Sequence, residues 1–169
     1  MARRSTLNRE LVEVEGYMGS VKKRVDIQEV VQLFKEIQGA FPHLEMKLEL
    51  RPPHVDLNMD IPKQQGLKFD VNLNLQGDEL HLSAGHFWLE WFPCTDEEIV
   101  KAFREAVRGV LSGEFRILEH YRGKRAIKAE LQSHSGQGWK TIGTWATLSL
   151  PIPWRVTPRE LRNTEQVQG

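Results

Sequence analysis

The sequence lacks several features that would identify a common class of protein. It has a single cysteine among 169 residues, which excludes an intramolecular disulfide and predicts a reducing compartment. No apolar run approaches the roughly 18 residues of a membrane span, and the N-terminal residues lack the apolar core of a secretory signal. The 23 basic and 23 acidic residues balance, so net charge favours no polyanionic partner. We therefore expect a cytoplasmic protein that does not enter membranes.

The motifs of several enzyme classes are also missing. The chain contains no phosphate-binding glycine loop, no dinucleotide-binding fingerprint and no serine-hydrolase elbow. Its histidines form no metal-ligand pattern, because His81 and His86 are an odd number of residues apart and would point to opposite faces of a regular strand. Cys94 directly precedes a predicted helix, a position that lowers the pKa of a thiol, but hydrophobic packing explains it equally well. The sequence predicts no metal and no cofactor.

The length is that of one domain, flanked by two less regular segments. We predict a basic N-terminal arm at 1–24, a single α+β domain at 25–150 and a proline-containing C-terminal extension at 151–169. Within the domain, apolar residues recur at helical spacing in two stretches. The first begins at Asp26 and closes near Gly39; the second begins at Thr95 and closes at Gly113.

Alternating apolar and polar residues fill the rest of the domain, which is typical of antiparallel strands with one buried face. About four strands lie between the helices and three follow the second helix. Residues Thr157 and Pro158, with Glu160, predict a short helical turn near the C-terminus. The expected fold is an antiparallel sheet of about seven strands with two main helices packed on one face, in the order α-ββββ-α-βββ.

Two neighbouring strands carry a set of oxygen-bearing side chains: Asp56, Asn58, Asp60, Asp70, Asn72 and Asn74. Converging oxygen ligands would suit calcium. A symmetric hairpin closed at 62–66 would instead place Asp60 opposite Lys68 and Asn58 opposite Asp70, as on an ordinary solvated sheet face. We interpret the set as a solvated face.

Two glutamates, Glu90 and Glu119, each stand between two large apolar or aromatic residues on the same predicted face. A carboxyl group in such a setting can act as a general acid or base, and two close together could form a hydrolase-like pair. Alternatively, each lies at a sheet margin or meets an arginine such as Arg122 or Arg125. We assign no catalytic residue from the sequence, and we keep Glu90 and Glu119 as candidates.

The absence of a catalytic constellation favours a non-enzymatic protein-binding module of the adaptor, chaperone or inhibitor type. Such a module would bind a protein partner or associate with itself as a dimer. Tryptophan dominates interfaces when it is exposed, so we predict partner binding by Trp139, Trp145 and Trp154, and expect Trp88 in the core. The alternative is a small-ligand-binding protein or hydrolase-like enzyme with a pocket near Glu90 and Glu119.

A third interpretation concerns the predicted hairpin at 116–128. Its basic residues are Arg116, Arg122, Lys124, Arg125 and Lys128. With the tryptophans of the next strand, they could contact single-stranded nucleic acid by charge and stacking. The zero net charge disfavours this interpretation, because nucleic-acid-binding domains are usually basic overall.

Overall fold

The computed structural model describes residues 24–147 and 155–163, which form two helices and nine strands. Most of the predicted N-terminal arm and Trp154 therefore lie outside the described residues. The elements are α1 (Ile27–Ala40), β1 (Lys47–Leu50), β2 (Leu57–Ile61), β3 (Val71–Gln76), β4 (Glu79–Ala84), β5 (Phe87–Trp91), α2 (Glu97–Ser112), β6 (Phe115–Arg122), β7 (Arg125–Ser135), β8 (Gly138–Ala146) and β9 (Val156–Leu161).

The predicted α+β class and the order of helix, strands, helix, strands are confirmed. The strands form two antiparallel sheets, with orders β1-β2-β3-β4-β5 and β8-β7-β6-β9, where a single sheet of about seven was expected. Helix α2 connects the two sheets in the chain, since it lies between β5 and β6. Among the described residues, β6 pairs with β7 and β9 and with no strand of the first sheet. None of the helices in the described residues is long and apolar enough to cross a membrane.

Both helices begin at an aspartate and bury an apolar stripe. The side chain of Asp26 accepts a hydrogen bond from the backbone N–H of Gln28 at the start of α1. Helix α2 is capped by Asp96, not by the predicted Thr95, and ends at Gly113 in the left-handed conformation with φ 84°. The helices and the inward face of the five-stranded sheet share one buried core. The opposite face of that sheet, which we call the outer face, carries mostly polar side chains.

The predicted C-terminal helical turn is wrong, because Val156–Leu161 is strand β9. Pro158 lies opposite His120 in the β6–β9 pairing. Proline is compatible with this position because β9 is an edge strand and needs no hydrogen bond on its open side. Beyond β9, the buried Asn163 accepts a hydrogen bond from the backbone N–H of Lys68 and donates one to the carbonyl of Val110, each at 2.9 Å. These bonds anchor the strand to helix α2 and to the loop before β3.

The pairing of β2 with β3 differs from the symmetric hairpin expected from the sequence. Asn58 lies opposite Asn74, and Asp60 lies opposite Asn72. The register shifts because residues 62–70 form a longer loop, in which Asp70 accepts a hydrogen bond from the backbone N–H of Lys63 at 2.7 Å. The amides on the outer face bond to one another, as in the 2.8 Å bond from Asn72 to Asn58. This face is polar, as the sequence predicted, but Asp56 and Asp70 lie outside the two strands.

Candidate functional site

A buried carboxylate lies where the two sheets meet. Glu119 follows Ile117 on the inward side of β6, and the residue is only 1% exposed. The turn between β4 and β5 lies against it, so Glu119 Oε1 accepts a hydrogen bond from the backbone N–H of His86 at 2.7 Å. Gly85 makes this close approach possible, because a Cβ atom there would lie 2.5 Å from Glu119 Oε1. The φ of Gly85, 58°, also favours glycine.

Glu119 organises two side chains that reach the surface. Its Oε2 accepts a hydrogen bond from the hydroxyl of Tyr121 at 2.8 Å. Its Oε1 lies 3.2 Å from Nδ1 of His86, a side chain that is 53% exposed. The Tyr121 hydroxyl is also 3.0 Å from that Nδ1, and the two rings meet edge to face. A proton on Nδ1 that is donated to Glu119 leaves Nε2 free to accept a proton from another molecule.

The guanidinium of Arg159 contributes to the electrostatics at Tyr121. Burial raises the pKa of the Tyr121 hydroxyl, as does its hydrogen bond to Glu119, whereas the guanidinium of Arg159 acts in the opposite direction. Arg159 lies directly opposite Glu119 in the β6–β9 pairing. We call Glu119, His86, Tyr121 and Arg159 the Glu119 cluster. The sequence had suggested other arginines as partners, because the position of β9 could not be foreseen.

The other predicted glutamate, Glu90, lies on the outer face of β5. It is directly opposite His81 of β4, and Glu79 is two residues before His81 on the same face. Among the described residues, no contact joins Glu90 to Glu119, so the two glutamates belong to different groups. Sequence reasoning considered His81 only together with His86 and missed its grouping with Glu79 and Glu90. The signal was available, because a two-residue turn at Gly85 and His86 brings His81 opposite Glu90.

A cleft of about 640 Å³ is lined in part by Gly85, the residue before His86, but by none of the four residues of the Glu119 cluster. Its walls come from the ends of β2, β3 and β4 and from the loop before β3; they include Asp60, Lys68, Phe69 and Ser83. This volume lies within the range of about 300–1,000 Å³ that is usual for small-ligand sites. The cleft is therefore large enough to hold a small ligand.

The described tryptophans differ in their surroundings. Trp139 and Trp145 are half-buried. The ring centre of Trp139 is 4.2 Å from the guanidinium carbon of Arg116 and 5.0 Å from that of Arg162, whereas Trp145 packs against the core. The expectation that Trp88 is buried is wrong, because it is 42% exposed on the outer face of β5. Partner binding by Trp139 and Trp145 stays a prediction.

The basic hairpin is partly neutralised within the protein. Arg116 forms an ion pair with Glu160 at 2.7 Å, and Lys128 forms one with Glu130 at 2.9 Å. Among the described residues, the basic side chains at the hairpin tip have no acidic partner: Arg122, Lys124 and Arg125. Nucleic-acid binding therefore depends on the tip and stays a prediction.

Two further groups have shifted pKa values. Burial raises the pKa of Glu130, but hydrogen bonds from Lys128 and His120 outweigh it and lower the pKa overall. Burial raises the pKa of the Cys94 thiol, and the charge of Asp78 adds to this effect. The structure thus reverses the thiol activation that the position of Cys94 had suggested, since a raised pKa leaves less of the nucleophilic thiolate.

No known protein family, curated protein or solved structure matches this chain. Its function is therefore inferred from the geometry of its own residues.

Proposed function

We propose that this protein binds a small polar ligand at the Glu119 cluster, with His86 as the acid–base group. The observation that carries the proposal is the buried carboxylate of Glu119, whose oxygens hold both the backbone and the ring of His86 and the hydroxyl of Tyr121. Burial of a carboxylate is costly unless hydrogen bonds satisfy it. Here those bonds orient two side chains that face solvent, which is typical of a site that must keep a fixed geometry.

The exposed groups of the cluster indicate the chemistry of the ligand. His86 and Arg159 are exposed, and the Tyr121 hydroxyl lies between the imidazole and the carboxylate. An imidazole, a phenol and a guanidinium together suit a ligand that carries a carboxylate or phosphate group. The neighbouring cleft would hold the rest of the ligand.

The same geometry supports proton transfer in the bound ligand. His86 would accept a proton at Nε2, and the Glu119 carboxylate would stabilise the imidazolium that results. Positioned acid–base groups of this kind contribute about 10²–10⁴-fold to a rate. This proposal corresponds to the enzyme alternative predicted from the sequence. Glu119 remains a candidate site residue, but its partners are His86 and Tyr121 and not Glu90.

The test is a ligand screen of carboxylate- and phosphate-bearing small molecules, read by thermal shift and by titration of the hits. We expect His86→Ala to abolish binding and Tyr121→Phe to weaken it about tenfold, the effect of one hydrogen bond to a charged group. His54→Ala is the matched control, since His54 is an exposed histidine outside the cluster. Hits that bind the first two variants as tightly as the natural protein would refute the proposal.

The geometry of the cluster can be checked without a ligand. An ultraviolet titration should show one phenolic group that deprotonates above pH 10, the ordinary value for tyrosine, and Tyr121→Phe should remove that signal. Glu119→Gln should move it back towards pH 10, because the negative charge beside the phenol is lost. A signal unchanged by Glu119→Gln would contradict the contact between these two side chains.

As a second candidate we propose the protein-binding module, which is the interpretation that the sequence favoured. Its support is the half-exposed Trp139, together with the exposed Ile142 on β8 and the exposed Val156 on β9. Within the described residues, both strands are sheet edges with unpaired backbone groups on one side. A second copy of the chain would give a molar mass of twice 19.6 kDa by light scattering.

We expect Trp139→Ala to weaken that self-association at least tenfold, as for an interface hot spot. Trp88→Ala, on the outer face of the other sheet, serves as the control and should leave it unchanged. A natural protein that stays monomeric at millimolar concentration would refute the dimer, and the module would then require a different protein as its partner.

A further inference from the structure

Three side chains with metal-binding groups converge on the outer face, and none of them belongs to the Glu119 cluster. Glu79 and His81 share this face of β4, and Glu90 lies directly opposite His81 on β5. One ligand atom from each of the three lies within 4.8 Å of the others. The antiparallel register and the two-residue side-chain period bring them together, so the grouping is built into the sheet.

His81 has no adequate hydrogen-bond partner. The residue is only 2% exposed, and neither Nδ1 nor Nε2 makes a hydrogen bond within the described part of the chain. Its Nε2 lies 3.4 Å from Oε2 of Glu79, without the geometry of a hydrogen bond. The indole of Trp88 covers the imidazole, with ring centres 5.3 Å apart. Since buried polar groups are nearly always satisfied, this ring indicates a missing partner.

The distances suit a cation shared by these groups. Two ligands of a tetrahedral ion at about 2.0–2.2 Å lie about 3.3–3.6 Å from each other. The 3.4 Å between His81 and Glu79 falls within that range. Glu79 and Glu90 are half-buried and have rotatable side chains, so small rotations would bring both carboxylates to the ion.

We propose that Glu79, His81 and Glu90 form a binding site for a divalent transition-metal ion of the Zn²⁺ type. One imidazole and two carboxylates match the borderline ligand preference of such ions. Calcium and magnesium fit less well, because they are bound by oxygen ligands alone. Three protein ligands leave a coordination position for water, and Trp88 shields one side of the site.

The experiment titrates Zn²⁺ into the untagged full chain after treatment with a chelator. We expect one ion per chain and a melting temperature raised by about 5–10 °C at a free Zn²⁺ concentration of about 100 times the dissociation constant. Glu79→Gln and Glu90→Gln keep the side-chain shape and should each weaken binding at least tenfold. Glu49→Gln, a glutamate on the same face at β1, should leave the affinity unchanged.

Two further measurements keep the proposal independent of the stability of any variant. Zn²⁺ should shift the imidazole nitrogen resonances of one histidine in the natural protein, and His81→Gln should remove those resonances. His86→Ala should leave Zn²⁺ binding intact, which separates this site from the ligand site proposed above. Three results would each overturn the proposal. The first is the absence of saturable Zn²⁺ binding, and the second is binding that is unchanged in both glutamine variants. The third is an imidazole of His81 that is protonated on both nitrogens and insensitive to Zn²⁺.

Discussion

Substitution of Gly85 by alanine tests the contact on which the Glu119 cluster depends. Gly85 has φ 58°, and alanine in this left-handed region costs about 1–2 kcal/mol. The added Cβ would also lie 2.5 Å from both Glu119 Oε1 and Leu161 Cδ1. Relief of that overlap would cost about 1–3 kcal/mol more, because the buried carboxylate must move from the backbone N–H of His86. We expect Gly85→Ala to lower the free energy of unfolding by about 2–5 kcal/mol.

Gly77→Ala provides the matched control. Gly77 has φ 60°, but none of the described residues lies within 4 Å of the point that an added Cβ would occupy, so only the backbone cost of about 1–2 kcal/mol applies. Both variants would be unfolded in urea and followed by tryptophan fluorescence. In a double-mutant cycle, Gly85→Ala should cost less when Glu119 is already alanine, because the overlap with the carboxylate is gone. Equal losses at Gly85 and Gly77, within about 0.5 kcal/mol, would refute the close approach of Glu119.

Two other predictions concern the helix that precedes β6 and the acid side of the stability curve. Gly109→Ala should destabilise the protein by about 1–3 kcal/mol in urea unfolding, because the new Cβ would overlap the ring of Phe115. The control, Gly39→Ala, has open space among the described residues and should stabilise the protein by about 0.5–1 kcal/mol. A stabilising Gly109→Ala would contradict the packing of α2 on β6. The pKa of Glu130 is lowered in the folded state, so its contribution to stability is present above pH 4.5 and is lost as the pH falls through the folded-state pKa below that value. Glu130→Gln should therefore show a shallower loss of stability below pH 4.5 than the natural protein, and parallel curves would show that Glu130 contributes nothing.

Local sequence patterns were sufficient to locate both helices and the inward faces of the strands, although α2 is capped by Asp96 and not by Thr95. Asp26 marks the start of a helix because its side chain accepts a hydrogen bond from a backbone N–H two residues later. Gly113 marks the end of a helix because glycine readily adopts the left-handed conformation. Both effects involve only residues that are close in sequence. Alternation along β2 and β3 determined which side chains are buried, since the period of two belongs to each strand alone. Glu90 and Glu119 were also selected as candidates from local sequence, because each stands between large apolar or aromatic residues.

The tertiary structure alone decided which residues meet. Glu119 contacts His86 across 33 positions of sequence, and that contact requires a packing of two sheets that no local pattern encodes. Strand register also depends on the tertiary structure. The bulge between His120 and Tyr121, for example, shifts one side of the β6–β7 ladder. The period of two assigns a residue to a face but not to a partner. The sequence could therefore nominate Glu119, whereas its position beside His86 and Tyr121 depended on how loops, bulges and the edge strand β9 aligned the two sheets.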